Sequence, residues 1–215
     1  GLGERWVYQC AIPEVTCFGA SREMLDELYR TADLALNVTG AQEIREEHAS
    51  LSHLVYVQSD PFALQVEIEN GNQWAAEQLS RHCAHFTFGE LVGTPQCDLP
   101  TGGVRWRPTR QPVALELWPV QPLGSRFTTV TTWRNDSKRK VWRGEEYHWT
   151  KDREFLALVD LPRHTTATLE LAIDGRPPEA PLLEERGWQL VEGVGLETEL
   201  GTYRDYVIGS RGEFT

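Results

Sequence analysis

No stretch of this chain approaches the run of roughly 18 apolar residues that a membrane-spanning helix needs. The opening GLGERWVYQC has neither a long apolar core nor a small-residue cleavage signature, so it does not read as a secretory leader. Cysteine is scarce. Its four copies, at 10, 17, 83 and 97, form no CxxC and no Cys/His spacing of a zinc site, so no bound metal is expected. They read as reduced structural thiols of a cytoplasmic protein, with a disulfide as the alternative. Positive charge is also short: 21 Lys and Arg stand against 32 Asp and Glu, a net charge of −11. That balance argues against a nucleic-acid partner, whose phosphates need clustered cations. Three signatures are missing as well: GxGxxG, the Gly-Lys-Ser/Thr of a phosphate loop, and the G-x-S-x-G elbow of serine hydrolases.

What is present suits an α/β protein. Apolar residues make up 40% of 215, ordinary for a packed core, and the length allows one large domain or two small ones. The stretch Thr31–Phe62 reads as strand, short helix, strand. Leu34–Val38 and Leu54–Val57 are short apolar runs of the kind buried in parallel sheets. They end in Thr39-Gly40 and in Gln58-Ser59-Asp60-Pro61. Ligands of open α/β sheets sit outside such carboxyl ends, which makes Asn37, Thr39, Gly40, Ser59 and Asp60 site candidates. The competing reading is that Gly40 and Asp60-Pro61 only make turns.

Around this unit, Ser21 caps a helix to Ala32, and a second helix begins near Pro61. Gly71 breaks that helix, and Asn72 caps a third, which buries Trp74, Leu79 and Cys83. HFTF at 85–88 is a third strand, in which His85 reads as a core histidine. Residues 89–112 form a long loop. Within it, Thr101-Gly102-Gly103 and the following Arg105, Trp106 and Arg107 suit a ligand with phosphate or carboxylate groups. A plain linker with turns is the alternative. Pro119, Pro122 and Gly124 mark a domain boundary. Beyond it, Phe127–Trp133, Lys151–Leu161, Thr166–Ile173, Pro181–Gly187, Trp188–Val191 and Thr202–Arg211 read β-α-β-α-β-α. Arg134, Lys138, Arg139, Lys140 and Arg143 form a basic loop, either solvated or a local anion site. Three parallel strands would leave a bare edge, so the natural protein is expected to extend beyond Thr215, with a start before Gly1 as a further option.

Several segments then occur in an ordered series: ADLALNVTG, VYVQSDPF, HFTFGELVG, PTGG-x-x-W-x-PTR-x-P, FTTVTTWR, KDREF, RGWQLV and YRDYVIGSRGEF. From about Asp33 onward the series resembles a group of bacterial glycosyltransferase-like proteins with two Rossmann-type domains, the GT-B arrangement. The order of the segments carries the likeness. The family's glycine-rich opening strand-turn-helix is absent here. The resemblance implies an α/β fold of two Rossmann-like lobes with parallel sheets, both incomplete. Residues 1–120 would be the later part of an acceptor-side domain and 125–215 the early part of a donor-side domain. It implies sugar transfer from a nucleotide sugar, a co-substrate rather than a cofactor, to an acceptor of unspecified identity.

Such transfer needs cations or helix N-termini at the leaving diphosphate, and inversion needs a base on the acceptor hydroxyl. Asp60 is the first choice of base and Glu90 the second, with Asp60 facing an interlobe cleft. Thr101, Gly102, Gly103 and Trp106 are assigned to substrate binding. Trp133, Arg134, Lys138 and Arg211 are assigned to the donor phosphates. A non-catalytic ligand-binding or regulatory module of the same shape is the alternative reading.

Overall fold

In the computed structural model, residues 3, 5–10, 16–136 and 139–214 are described. They divide into two compact units, Gly1–Pro112 and Val113–Thr215, parted a few residues before the Pro119–Gly124 break. The architecture is mixed α/β, with one four-stranded parallel sheet in each unit. No helix among the described residues is long and apolar enough to cross a membrane.

The first unit opens with an antiparallel hairpin, β1 (Val7–Cys10) and β2 (Thr16–Gly19). Helix α1 (Arg22–Thr31) follows, capped by the Ser21 hydroxyl, which accepts the Met24 N–H at 3.3 Å. The sheet then runs β3 (Ala35–Val38), β4 (Leu54–Gln58), β5 (Ala84–Thr87) and β6 (Trp106–Pro108), side by side in chain order. Helices α2 (Ala63–Glu69) and α3 (Gln73–Ser80) cross from β4 to β5. Gly71, at φ +93°, makes the break between them, and the Asn72 carboxamide caps α3 by accepting the Ala75 N–H at 3.1 Å.

Three expectations change here. The crossover between β3 and β4 holds only a 3-10 turn at Glu46–His48, because its sole buried aliphatic is Ile44 and no apolar stripe exists to dock a helix. The buried positions of α3 are Ala75 and Leu79, one turn apart, which leaves Trp74 57% exposed and Cys83 exposed beyond the helix. Cys83 and Cys97 are free thiols, while the side chains of Cys10 and Cys17 fall outside the described structure. Third, residues 89–112 are not one loop. Trp106 starts a fourth strand, packing edge-on against Tyr56 and His85 with its indole N–H on the Thr101 carbonyl at 2.9 Å.

The second unit is built on β7 (Arg126–Thr131). From it the chain passes through a second hairpin, β8 (Arg139–Trp142) and β9 (Glu145–His148), to α4 (Asp152–Ala157). It continues through β10 (Thr168–Ile173), α5 (Ala180–Arg186), β11 (Gln189–Glu192), α6 (Val194–Thr198) and α7 (Leu200–Ile208) to β12 (Gly212–Glu213). The sheet order is β11-β10-β7-β12. The chain therefore builds outward from β7 on one side, then returns to add β12 on the other, and the order reverses at β7.

The basic loop is thus a hairpin. Arg143 and Gly144, at φ +52° and +83°, supply the two left-handed residues that a tight two-residue turn needs. Lys151–Leu161 also divides, into α4 and a 3-10 turn at Leu161–His164 that carries Pro162. The core of this unit gathers Trp133, Phe155, Leu171, Ile173, Leu183 and Trp188. On the α7 face, Glu170 of β10 is buried at 2% exposure. It accepts a guanidinium bond from Arg126 (2.7 Å) and the Tyr206 hydroxyl (2.8 Å). Burial first, and the adjoining Glu170 carboxylate second, push the Tyr206 hydroxyl far above the usual phenol range.

Candidate functional site

The carboxyl edge of the first sheet is where unusual backbone concentrates. Thr39 follows β3 in the left-handed region at φ +64°, and Gly40 follows at +70°. Phe62, four residues after β4, is held at φ +116°, a conformation that costs a non-glycine residue of order 1–3 kcal/mol. Surrounding structure enforces it. Gln65, fully buried on α2, accepts the Phe62 N–H at 3.0 Å on its side-chain oxygen. The same oxygen accepts Gln58 Nε2 at 3.0 Å, and Gln65 Nε2 donates back to Gln58 Oε1 at 2.7 Å. The Thr87 hydroxyl donates to Gln58 Oε1 at 3.1 Å and accepts the Gly89 N–H at 3.1 Å. One buried polar chain therefore ties the loop after β4 to the loop after β5. Gly89 adds contact between them, since a Cβ there would sit 3.1 Å from Pro61.

This frame holds two carboxylates at the edge. Asp60 is exposed and has no hydrogen bond or ion pair among the described residues. Glu90 is also exposed but takes a short ion pair from Arg110, two residues beyond β6. That guanidinium bond holds the Glu90 carboxyl below the usual range and makes it the weaker base. Ser59 lies half-buried beside Asp60. So Thr39, Gly40, Ser59, Asp60 and Glu90 all follow adjacent parallel strands, and Arg110 joins them.

The remaining first-unit candidates lie elsewhere. Asn37 is buried within β3, where its carboxamide accepts the Gln42 N–H and donates to the Gln42 carbonyl. Thr101, Gly102 and Gly103 precede β6. A Cβ on Gly102 would press on Ile68 and Leu79, so this turn covers the helix face of the sheet. Trp106 is 7% exposed and belongs to the core. His85 is buried, with Nε2 at 2.9 Å from the Leu79 carbonyl.

In the second unit, Trp133 and Arg134 follow β7 at the carboxyl edge. Trp133 is 4% exposed, stacked on Phe155, with its indole N–H on Glu179 Oε2 at 3.0 Å. It is a core residue, almost wholly buried. Arg134 is clasped between Asp152 (2.9 Å) and Glu179 (2.5 Å). Burial pushes the Asp152 carboxyl up, but hydrogen bonds from Thr150 and Arg134 outweigh it and hold the carboxyl low. Arg134 borders an open depression of about 300 Å³ with Asp174, Gly175, Arg176 and Pro177. Arg176 is itself paired with Glu184 at 2.6 Å. A second cavity of about 280 Å³, largely apolar, lies where the strand order reverses, between Thr129, Phe155, Leu158 and Phe214 with Lys151 at its side.

Arg211 is not part of this edge. It precedes β12 at the amino end of the sheet, 5.7 Å over the Phe127 ring, with its N–H on the Arg126 carbonyl. Lys138 lies outside the described residues. Among the described residues no group of three or more His, Cys, Asp or Glu is placed to hold a metal ion.

Sequence reasoning missed Gln58, Gln65, Thr87 and Arg110. Arg110 is the arginine of the PTGG-x-x-W-x-PTR-x-P segment, whereas the buried amides carry no motif. No protein-family model, curated protein or solved structure matches this chain.

Proposed function

We propose that this is a glycosyltransferase-like protein of the GT-B arrangement, moving a sugar from a nucleotide-sugar donor to a hydroxyl acceptor, with Asp60 as the base. The observation that carries the reading is Asp60 itself. It is an exposed, unengaged carboxylate at the carboxyl end of a parallel strand, beside a strained and fully braced backbone. In an inverting transfer Asp60 takes the proton of the acceptor hydroxyl as that oxygen bonds to the anomeric carbon. The bond from that carbon to the nucleoside diphosphate breaks, and the diphosphate leaves with the electron pair. The two parallel α/β sheets, the second with its order reversal at β7, support the assignment to two Rossmann-type lobes.

One observation favours the alternative of a non-catalytic binding module. Both Arg134 and Arg176 are already paired with carboxylates, so a diphosphate must displace Glu179 to reach Arg134. Thermal unfolding of the chain with UDP-, GDP- and dTDP-sugars tests the reading, together with an assay for released nucleoside diphosphate. A ligand that binds the folded state raises the melting temperature in proportion to the logarithm of its excess over Kd. The transferase reading expects one donor to do so and diphosphate to be released. A shift without release supports the binding module, and no shift with any donor removes both.

A further inference from the structure

Between helix α3 and the loop that follows β3, the first unit holds a cavity of about 200 Å³. Its floor is Asn37 and Tyr56, cross-strand partners in the β3–β4 register and 5% and 8% exposed. Leu64, Ala75 and Leu79 give it apolar walls, His82 closes one side, and Trp74 stands at the rim.

The polar atoms of this floor are satisfied with one exception. The Asn37 amide nitrogen donates to the Gln42 carbonyl (2.9 Å) and to His82 Nε2 (3.1 Å). His82 Nε2 is therefore the acceptor, which leaves Nδ1–H to donate to the Leu79 carbonyl at 3.2 Å. The exception is the Tyr56 hydroxyl. Its side chain is more than nine-tenths buried, and the hydroxyl has no hydrogen-bond partner among the described residues. The hydroxyl lies at the cavity wall against Gly40, where a Cβ would stand 2.4 Å from its oxygen. Glycine at 40 is what leaves room for it, so the hydroxyl opens into the cavity with its proton available to a ligand.

The surroundings restrict what could satisfy that hydroxyl. No Lys or Arg lines the cavity, and its one charged residue, Glu43, is already paired with Arg45 at 3.1 Å. A charged ligand would lose its hydration and gain no counter-ion. The volume suits a single ring, and the half-exposed indole of Trp74 lines the cavity beside its apolar walls. We propose that this cavity is a binding site for a small uncharged planar ring compound whose hydrogen-bond acceptor takes the Tyr56 hydroxyl proton. The proposal is independent of sugar transfer.

Titration of the ¹⁵N-labelled chain with benzamide, followed by NMR, tests it, with benzoate as the charged counterpart. Benzamide is expected to shift the amides of Gly40 and Ala75 saturably, and benzoate at equal concentration is not. Tyr56→Phe should weaken benzamide about tenfold, the share of one hydrogen bond, with an unchanged melting temperature. Ala75→Leu, which fills the cavity, should abolish binding. Failure of benzamide to saturate overturns the site. So does equal affinity in Tyr56→Phe, or binding of benzoate as tight as that of benzamide. If Ala75→Leu does not fold, the Tyr56→Phe comparison decides.

Discussion

Gln58 at the end of β4 and Gln65 on α2 exchange amide hydrogen bonds in both directions, at 3.0 and 2.7 Å, while fully shielded from water. The pair does more than join a helix to a strand. Through Gln65 it holds the Phe62 backbone at positive φ, and through Thr87 it fixes Gly89, so Asp60 and Glu90 stand on loops with a common brace. Gln65→Leu keeps the approximate volume but leaves the buried Gln58 Nε2 without its acceptor and takes away the acceptor of the half-buried Phe62 N–H. Unpaired buried groups cost about 1–3 kcal/mol each, so a loss of about 3 kcal/mol is expected. Replacing both glutamines by Leu should cost less than the two single losses added together, because neither side-chain amide is then left facing an apolar group in place of its partner. Urea midpoints for the three variants measure this, and strict additivity would disprove the coupling.

Tyr206 plays the corresponding part in the second unit. Its hydroxyl and the Arg126 guanidinium both bond the buried Glu170 carboxylate, so α7 is tied to β10 through a charge. Hydrogen bonds to a charged group contribute about 1.5–3 kcal/mol, and Tyr206→Phe should remove about 2 kcal/mol with little loss of packing. Denaturant unfolding reads the change. An unaffected midpoint would mean that Glu170 is satisfied by Arg126 alone.

The main strands were legible because Leu54–Val57 is an apolar run bounded by turn residues and Thr166–Ile173 reads as an alternating strand, and the strand ends pointed to Ser59 and Asp60. Two strands of the parallel sheets were not, nor was the β8–β9 hairpin. Trp106–Pro108 contains Arg and Pro and becomes a strand only because Trp106 packs on Tyr56 and His85, contacts made by distant segments. Gly212–Glu213 has no apolar residue at all and pairs with β7 where α7 delivers it. Those two placements decide the site. Once β6 is the fourth strand, Thr101–Gly103 precedes a strand instead of following one. Once β12 lies beside β7, Arg211 falls at the opposite end of the sheet from Arg134. The amides of Gln58 and Gln65 looked like ordinary polar positions, since reciprocal pairing across seven residues has no sequence period.

Two histidines set the response of the first unit to acid. His48 and His82 are 4% and 5% exposed, and burial is the first cause that pushes both imidazoles below their ordinary value. A depressed histidine favours the neutral form in the folded state. The stability tied to it is full above the unfolded pKa of about 6.5 and is lost as pH falls through the lower folded values. In the second unit the acid groups held low are carboxylates, Asp152 and Asp160, whose contribution persists to more acid pH. Hydrogen exchange followed from pH 7.5 to 5 should therefore show the first unit losing protection before the second. Imidazole proton signals of His48 and His82 that titrate at or above 6.5 would remove the basis of this expectation.

Asp60 carries the functional proposal, and its lack of partners among the described residues makes it separable from stability. An exposed side chain with no hydrogen bond or ion pair contributes little to folding, so Asp60→Asn should change unfolding free energy by less than about 0.5 kcal/mol. As the base it removes the acceptor proton, and its loss should lower turnover by ~10²-fold or more while donor binding stays nearly intact. Glu90→Gln gives the contrast. It breaks the ion pair with Arg110 at the same edge, and as a structural change it should affect turnover far less than Asp60→Asn does. Turnover, donor affinity and melting temperature measured on both variants separate the roles. Wild-type turnover in Asp60→Asn would leave Asp60 as a turn residue before Pro61. Equal losses in the two variants would mean that the edge matters through its architecture and not through a particular base.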